Sequence, residues 1–159
     1  MEPRSTTSVL FVCLGNICRS PLAEGVLQHL LAEEGMDEAV TVESAGTGSW
    51  HIGERADPRS REVAQRHGIE LTSRARQVSP ADFERFDLIV AMDRDNLANL
   101  RELQERSGGD AHLALLRDWA PEPGDGEVPD PYFGGDGGFD RVYEMLRRSL
   151  ERLVAELRA

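Results

Sequence analysis

The feature that most constrains the fold is a short apolar run, residues 8–13, followed at once by a glycine-containing loop and an amphipathic segment. An almost uninterrupted apolar run of this length is typical of a strand buried on both faces, as in parallel sheets. Pro21 then opens a predicted helix with one apolar face, which should end near Gly35. The loop between them is therefore expected at the carboxyl end of a parallel strand, where ligands bind in such sheets.

The rest of the chain repeats this alternation of strand and helix. Further strands are predicted at residues 40–42, 87–92 and 113–116, with loops at residues 45–53 and 121–138. Helices are predicted after the start signals Asp57-Pro58 and Ser79-Pro80, around residues 97–103, and along the apolar stripe of residues 139–157. The pattern indicates an α/β fold: one doubly wound domain over residues 1–159, with a four-stranded parallel sheet flanked by helices on both faces.

Composition and charge exclude several functions. The chain has 159 residues, enough for one domain with a buried core. Its 29 acidic and 18 basic residues give a net charge of −11, which argues against binding to nucleic acids or to anionic membranes. All 18 basic residues are arginines. Schiff-base chemistry on lysine and a Walker-type phosphate loop are therefore excluded.

The N-terminal residues do not resemble a targeting segment. The first eight residues are polar, and the apolar run after them is too short for a signal sequence or a membrane span, so a cytoplasmic location is expected. The only cysteines are Cys13 and Cys18. Two cysteines cannot build a disulfide framework or a four-cysteine zinc site, so their importance would be in reactivity.

The loop of residues 13–21 carries the most specific chemical signal. Cys13 and Arg19 stand six positions apart, and a loop of this length can curl until its backbone N–H groups converge on one anion beside a helix N-terminus. Arg19 can present its planar guanidinium to two oxygens of a tetrahedral oxyanion. The same positive field would favour the thiolate form of Cys13, to which Ser20 could donate a hydrogen bond.

A cysteine and an arginine at this spacing also have a structural explanation. Taken alone, Cys13 is more often a buried residue at the end of a strand, and Arg19 a surface charge. The surrounding sequence favours the functional interpretation. The loop follows an apolar strand, contains Gly15 and Asn16, and closes with a Ser-Pro pair that opens an amphipathic helix.

An acid is also needed, because the leaving oxygen of a phosphate ester must be protonated. Asp130, within Val-Pro-Asp-Pro-Tyr-Phe, is the leading candidate. Prolines on both sides restrict its backbone, and it lies in a long irregular loop of the kind that often carries function. The alternative is an Asp-Pro turn without a chemical role.

The loop motif and the Asp-Pro-Tyr motif together resemble the low-molecular-weight protein tyrosine phosphatases over essentially the whole chain. The matching stretches are residues 12–21, 43–46, 50, 57–59, 67–69, 74–76, 86–87, 91–93, 96–97 and 130–132. The resemblance implies Cys13 as nucleophile, Arg19 as phosphate clamp and Asp130 as acid and then base. The reaction would pass through a phosphocysteine that water hydrolyses, with no metal or other cofactor.

The resemblance also implies the supporting residues and the partners. Asn16, Ser20 and Ser44 would hold the loop in a strained shape. The substrate would contact Leu14, Gly15, Asn16, Ile17, Cys18, Trp50 and Tyr132, the two aromatic residues forming walls. Expected partners are phosphotyrosine proteins, in bacteria including tyrosine kinases, and the chain is expected to be a monomer or a weak dimer. His67, at the end of a helix, is expected to be a structural partner of a carboxylate such as Glu24 or Asp93 rather than a catalytic base.

Three other functions are alternatives to this one. Thioredoxin-coupled arsenate reductases share the loop but need cysteines outside it, which this chain lacks. Protein-arginine phosphatases resemble the loop but carry threonine where Ile17 stands, and Ile17 with Trp50 and Tyr132 favours an aromatic phosphoester. A phosphotyrosine-binding module without turnover is the third alternative, and the presence of Cys13, Arg19 and Asp130 together argues against it.

Two hypotheses concern regulation and specificity. Cys18 lies close enough in sequence to form a disulfide with an oxidised Cys13 and so protect it from irreversible oxidation. Residues 118–140 hold seven acidic residues and no arginine, so an acidic rim could favour phosphotyrosines with basic or neutral flanks. The alternatives are simple loop packing and a solvated loop.

Overall fold

A computed structural model describes residues 7–120, 127–131 and 138–158. Four parallel strands form one sheet in the order β2-β1-β3-β4. Their bounds are Thr7–Cys13 (β1), Val40–Gly46 (β2), Leu88–Ala91 (β3) and His112–Leu115 (β4). The predicted four-stranded parallel sheet is confirmed.

Helices cover both faces of this sheet, also as predicted. They are Arg19–Glu33 (α1), Pro58–Arg66 (α2), Asp82–Arg85 (α3), Arg94–Ser107 (α4) and Gly138–Arg158 (α5), with a 3₁₀ helix at Leu116–Trp119. α1 packs on β1, β2, α2 and α5, whereas α4 packs on β3 and β4. No helix in the described parts of the chain is both long enough and apolar enough to cross a membrane.

Burial of β1 on both faces follows from its apolar sequence. Val9 and Phe11 belong to the hydrophobic cluster under α1 and α5. Leu10 and Val12 belong to the opposite cluster, with Phe83 from α3. Alternate side chains of one strand therefore anchor the two layers of helices, and the end of β1 is held between them.

Several boundaries differ from the sequence prediction. α1 begins at Arg19 rather than Pro21, because proline is tolerated throughout the first turn, where its missing N–H has no partner to lose. β2 extends beyond residue 42 because its pairing with β1 continues to Cys13 opposite Gly46. α3 begins at Asp82, whose carboxylate accepts from the Ser79 N–H (2.8 Å) just before the helix.

The strand order creates a crevice beside the end of β1. From β1 the chain passes through α1 to β2 on one side, and β3 lies on the other side of β1 and leads into α4. The segments that follow β1 and β3 therefore diverge at the carboxyl edge of the sheet. Open α/β sheets bind ligands at such a switch point.

The start of α2 is stabilised by Asp57, as its Asp-Pro signal predicts. Its side chain accepts from the Arg59 N–H (2.8 Å), and the Arg59 guanidinium also contacts the carboxylate. Burial alone would raise the pKa of Asp57, but the hydrogen bonds and charge of Arg59 hold it below its ordinary value of 3.8. The ionised carboxylate therefore stabilises the folded state.

We expect Asp57→Ala to lower the free energy of unfolding by about 0.5–2 kcal/mol at neutral pH, the range for a lost helix cap. Because the pKa of Asp57 is lower in the folded protein, its stabilisation is complete above pH 3.8 and is lost as the pH falls through the lowered value. Denaturant unfolding across a pH series should show the two proteins converging in acid. Asp110→Ala, at an exposed loop position, is the control, and a difference that persists in acid would contradict the explanation.

Candidate active site

The candidate site lies where β1 ends and α1 begins. Cys13 is the last residue of β1 and Arg19 is the first of α1. The N–H groups of residues 14–18 have no hydrogen-bond acceptor among the residues that the structure describes. α1 has no side chain capping its N-terminus either. Unpaired N–H groups beside a helix N-terminus suit an anion.

The amide of Asn16 organises this loop. Its Nδ2 donates to Ser20 Oγ (2.8 Å) and to Ser44 Oγ (3.0 Å). Its Oδ1 accepts from the Arg76 N–H (2.9 Å). Ser44 in turn donates to Glu24 Oε1 (2.6 Å). The three residues expected to support the loop are thus buried and joined by direct hydrogen bonds.

Two positions have backbone requirements that few residues meet. Asn16 has a φ of 58°, the only positive value outside glycine in the described residues. This left-handed conformation costs most L-residues about 1–2 kcal/mol, whereas asparagine adopts it more readily. At Gly46 a Cβ would lie 2.8 Å from the Leu14 carbonyl oxygen and 3.1 Å from the Asn16 nitrogen. The end of β2 can approach the loop because residue 46 has no side chain.

The sulfur of Cys13 is buried beside a hydroxyl. Its Sγ lies 3.0 Å from Ser20 Oγ. Ser20 Oγ already accepts from Asn16, and its other neighbour, the Ala45 carbonyl oxygen, is 3.4 Å away. The hydrogen of the Ser20 hydroxyl is therefore best placed to bond to the Cys13 sulfur. A thiolate can only accept, so this contact stabilises the ionised form.

Arg19 is 2% exposed and is held by groups from two other segments. Its Nη1 donates to Asp93 Oδ2 (2.7 Å) and to the Val128 carbonyl oxygen (3.0 Å). Burial alone would lower the pKa of Arg19, but Cys13, Asp93 and Asp130 together raise it. The guanidinium is therefore charged and fixed in position.

Asp130 lies at the edge of the same site. Its Oδ2 is 3.6 Å from Arg19 Nη2, and its side chain is 37% exposed. Its segment is anchored nearby, since the Val128 N–H donates to the Met92 carbonyl oxygen (2.8 Å). The structure therefore brings Asp130 beside Cys13 and Arg19, which lie at the two ends of the same loop.

These groups face a cleft of about 240 Å³. Its walls contain most of the residues expected to contact the substrate, namely Leu14, Gly15, Ile17, Cys18 and Trp50, together with Cys13, Arg19 and Asp130. Trp50 is 71% exposed and Leu14 is 43% exposed, whereas Ile17 is buried. Asn16 and Ser44 do not line the cleft, so their place is behind the loop.

Part of the predicted rim falls outside the described residues. This applies to Tyr132 and to three of the acidic residues, Glu122, Asp125 and Asp136. Apart from Asp130, the remaining acidic residues of this segment have partners in the structure. Asp118 accepts from the Leu115 N–H, Glu127 accepts from the Arg94 N–H, and Asp140 pairs with Arg66. The acidic rim remains a hypothesis.

Several residues of the site were not predicted from sequence. His51 lines the cleft, and its Nδ1 lies 3.0 Å from Glu54 Oε1. Its position directly after Trp50 is the one feature of the sequence that could have indicated this. Arg76 contributes a backbone N–H, which no side-chain pattern reveals. Asp93 could have been noticed as the N-cap of α4, where it accepts from the Asn96 N–H (2.8 Å).

The partner of His67 is an aromatic ring and not the expected carboxylate. Its ring stacks on Tyr143 of α5 with centroids 3.8 Å apart. The carboxylates proposed as its partners are bonded elsewhere, Glu24 to Ser44 and Asp93 to Arg19. The position of His67 therefore depends on the ring of Tyr143, a residue far away in the sequence.

No group of three or more histidine, cysteine, aspartate or glutamate side chains within residues 7–120, 127–131 and 138–158 could hold a metal ion. The charged groups of the site are instead arranged around Arg19.

Burial raises the pKa of Cys18, with further contributions from Asp57, Cys13 and Asp130. Cys18 is thus a neutral thiol at neutral pH.

The fold and the site together define a doubly wound α/β protein whose first strand–helix loop carries Cys13 and Arg19 beside backbone N–H groups that are unpaired within the described part of the chain. A family model described as "Low molecular weight phosphotyrosine protein phosphatase" matches residues 8–159. The chain belongs to this family.

Individual relatives resemble the chain along nearly its whole length. A low molecular weight protein-tyrosine-phosphatase of Streptomyces coelicolor is 44% identical over 155 residues, which cover 96% of this chain and 94% of the relative. The structure of a protein tyrosine phosphatase from Entamoeba histolytica, with Hepes in the active site, has a TM-score of 0.90 at 40% identity, covering 96% and 97%. A Drosophila arginine phosphatase has a TM-score of 0.90 at 34% identity, covering 95% and 98%.

Two substitutions of Asn16 should separate the cost of its backbone conformation from the loss of its hydrogen bonds. Asn16→Gly keeps access to the left-handed conformation and removes the bonds. Asn16→Ala removes the bonds and adds the conformational penalty. We expect the alanine variant to be less stable than the glycine variant by about 1–2 kcal/mol in denaturant unfolding. Equal stabilities would show that the conformation at residue 16 is not strained.

Proposed function

We propose that the protein hydrolyses phosphotyrosine in proteins, and small aryl phosphates, through a phosphocysteine intermediate on Cys13. One observation carries the proposal: Cys13 and the charged Arg19 line one cleft together with Leu14, Gly15, Ile17 and Cys18, whose backbone N–H groups are unpaired within the described residues. Membership of the phosphatase family and the names of the relatives support it.

The substrate phosphate would bind in the loop. Backbone N–H groups of residues 14–18 would hold its oxygens, and Arg19 would use the donors left free by Asp93 and Val128. These donors also suit the equatorial oxygens of the transition state, where charge is spread. Because they are fixed before the substrate arrives, little reorganisation is needed during the reaction.

In the first step the Cys13 thiolate attacks phosphorus and forms the S–P bond. The bond from phosphorus to the phenolic oxygen breaks, and protonated Asp130 gives its proton to that oxygen, releasing tyrosine. The position of Asp130 at the cleft edge, 3.6 Å from Arg19, is compatible with this role.

In the second step water attacks the phosphocysteine. The Asp130 carboxylate takes a proton from the water, the S–P bond breaks, and inorganic phosphate forms. Cys13 leaves as a thiolate, and the hydrogen bond from Ser20 stabilises it (3.0 Å). The same two side chains therefore serve both halves of the reaction, and the enzyme returns to its starting state.

An arginine phosphatase is the main alternative, since one such protein has the same fold. The lining of this cleft favours an aromatic substrate. Leu14, Ile17 and Trp50 present apolar surface, and a phosphorylated guanidinium would lose water there without gaining a polar partner from residue 17. Within the cleft an aromatic ring would bury that apolar surface.

We expect the purified protein to hydrolyse para-nitrophenyl phosphate and phosphotyrosyl peptides in the presence of a chelator, and phosphoarginine only weakly. Cys13→Ser should abolish turnover because its alkoxide is not accessible at neutral pH, while phosphopeptide binding remains. Release of inorganic phosphate would measure turnover, and calorimetric titration with the peptide would measure binding. Turnover by Cys13→Ser, or a preference for phosphoarginine, would contradict the proposal.

Asp130→Asn should lower kcat on phosphotyrosyl peptides by about 10²–10⁴, the range for loss of a general acid. The loss should be smaller on para-nitrophenyl phosphate, because its leaving group needs less protonation. Asp140→Asn removes a carboxylate that pairs with Arg66 outside the cleft, and it should leave both rates unchanged. Equal losses on the two substrates would argue against proton donation by Asp130.

The raised pKa of Cys18 predicts how formation of the disulfide with Cys13 would depend on pH. Peroxide would oxidise Cys13 to the sulfenic acid, and attack by Cys18 would form the S–S bond and release water. Since the pKa of Cys18 is raised, its thiolate is scarce at neutral pH, and the link should form faster as the pH increases. Mass spectrometry should show a thiol-reversible link between Cys13 and Cys18, and overoxidised Cys13 without the link would contradict the hypothesis. Cys18→Ser is the control and should form no link.

A further inference from the structure

A ridge of two exposed hydrophobic side chains separates the catalytic cleft from a second cleft. Leu14 and Trp50 line the catalytic cleft, and both also line a neighbouring cleft of about 250 Å³. They are among the few large hydrophobic side chains exposed in the described residues. Exposed apolar surface beside a catalytic site is typical of a surface that a ligand covers.

The ridge is held firmly by the backbone beneath it. The Gly48 N–H donates to the Leu14 carbonyl oxygen (2.9 Å). The Trp50 ring rests directly on Gly48, where an added Cβ would lie 1.9 Å from a ring carbon. The two clefts are therefore separated by a wall whose shape is determined by the fold.

The far wall of the second cleft is one face of α4, so we call it the α4 groove. Asn99, Glu102, Leu103 and Arg106 line it, at helical spacing. Leu103 adds apolar surface opposite the ridge. Glu102 and Arg106 form an ion pair (3.3 Å) in which both side chains are about two-thirds exposed, at 69% and 67%.

We propose that the α4 groove binds the side chain of an arginine or lysine close to the phosphotyrosine in the protein substrate. This rests on the proposed function and adds a specificity-determining site to it. An extended chain advances about 3.3 Å per residue. A residue one to three positions from the phosphotyrosine can therefore cross a ridge made by one leucine and one tryptophan.

The chemistry of the groove suits a long side chain with a cationic end. The alkyl part would cover Leu14 and Leu103, and the cation would lie against the Trp50 ring and reach the Glu102 carboxylate. An exposed pair holds its members weakly, so Glu102 can exchange Arg106 for the incoming cation. The net charge of −11 attracts basic rather than acidic peptides.

The test uses phosphotyrosyl peptides with a single arginine, glutamate or alanine at each of the neighbouring positions, on both sides of the phosphotyrosine. We expect kcat/KM to be about two- to fivefold higher for arginine at one of these positions, the scale of an exposed ion pair. The preference should weaken with added salt. Para-nitrophenyl phosphate has no flanking residue and serves as the internal reference.

Glu102→Arg should remove this preference and leave hydrolysis of para-nitrophenyl phosphate unchanged. Glu105→Arg is the matched control, because it makes the same charge change at an exposed position of α4 outside the groove. It should retain the preference. Asn99→Trp, which fills the groove from an exposed position, should lower kcat/KM only for the peptides.

Specific outcomes would overturn the inference. Equal effects of Glu102→Arg and Glu105→Arg would show a general electrostatic field rather than a site. A preference for glutamate, or none at all, would exclude a cation in the groove. Hydrolysis of aryl phosphates with any of these results would leave the proposed function intact. Failure to hydrolyse every aryl phosphate would overturn both.

Discussion

The buried charge of Arg19 is the interaction on which the arrangement of the site depends. A guanidinium that is 2% exposed needs partners that offset the cost of burying its charge. Its two closest partners, Asp93 and Val128, come from the segments after β3 and after β4. Holding Arg19 in place therefore brings three separate parts of the chain to the carboxyl edge of the sheet.

The same requirement explains the position of the acid. Asp130 follows Val128 by two residues, so the bond that satisfies Arg19 also brings the carboxylate to the cleft. Asp93 has a second function as the N-cap of α4, which fixes its own orientation. The charge that would bind phosphate is thus positioned by residues that also complete the secondary structure around it.

Sequence patterns predicted the elements that depend on local chemistry. The apolar run of β1, the Asp57-Pro58 signal of α2 and the stripe of α5 each depend on neighbouring residues, and each was confirmed. The length of β2 depended instead on its pairing with β1, and the partner of His67 on α5. Such contacts join residues far apart in the chain, so no local pattern contains them.

The residues of the site also divide into those that a local pattern predicts and those that depend on distant contacts. The spacing of Cys13 and Arg19 within one loop marks it in the sequence, whereas the bond from Asn16 to the backbone of Arg76 crosses 60 positions. His51 was missed because its role in the wall depends on how residues after Trp50 fold back over Gly15, where an added Cβ would lie 3.0 Å from the His51 ring.

The wall that carries Trp50 is attached to the phosphate-binding loop at both of its ends. At one end the Thr47 and Gly48 N–H groups donate to the carbonyl oxygens of Cys13 and Leu14, each over 2.9 Å. At the other end the Asp57 N–H donates to the Ile17 carbonyl oxygen over 2.8 Å. All three acceptors belong to the backbone of residues 13–17, the segment that joins the end of β1 to α1. The proposed recognition of the aromatic ring by Trp50 and of the phosphate by the loop would therefore depend on the same segment of backbone.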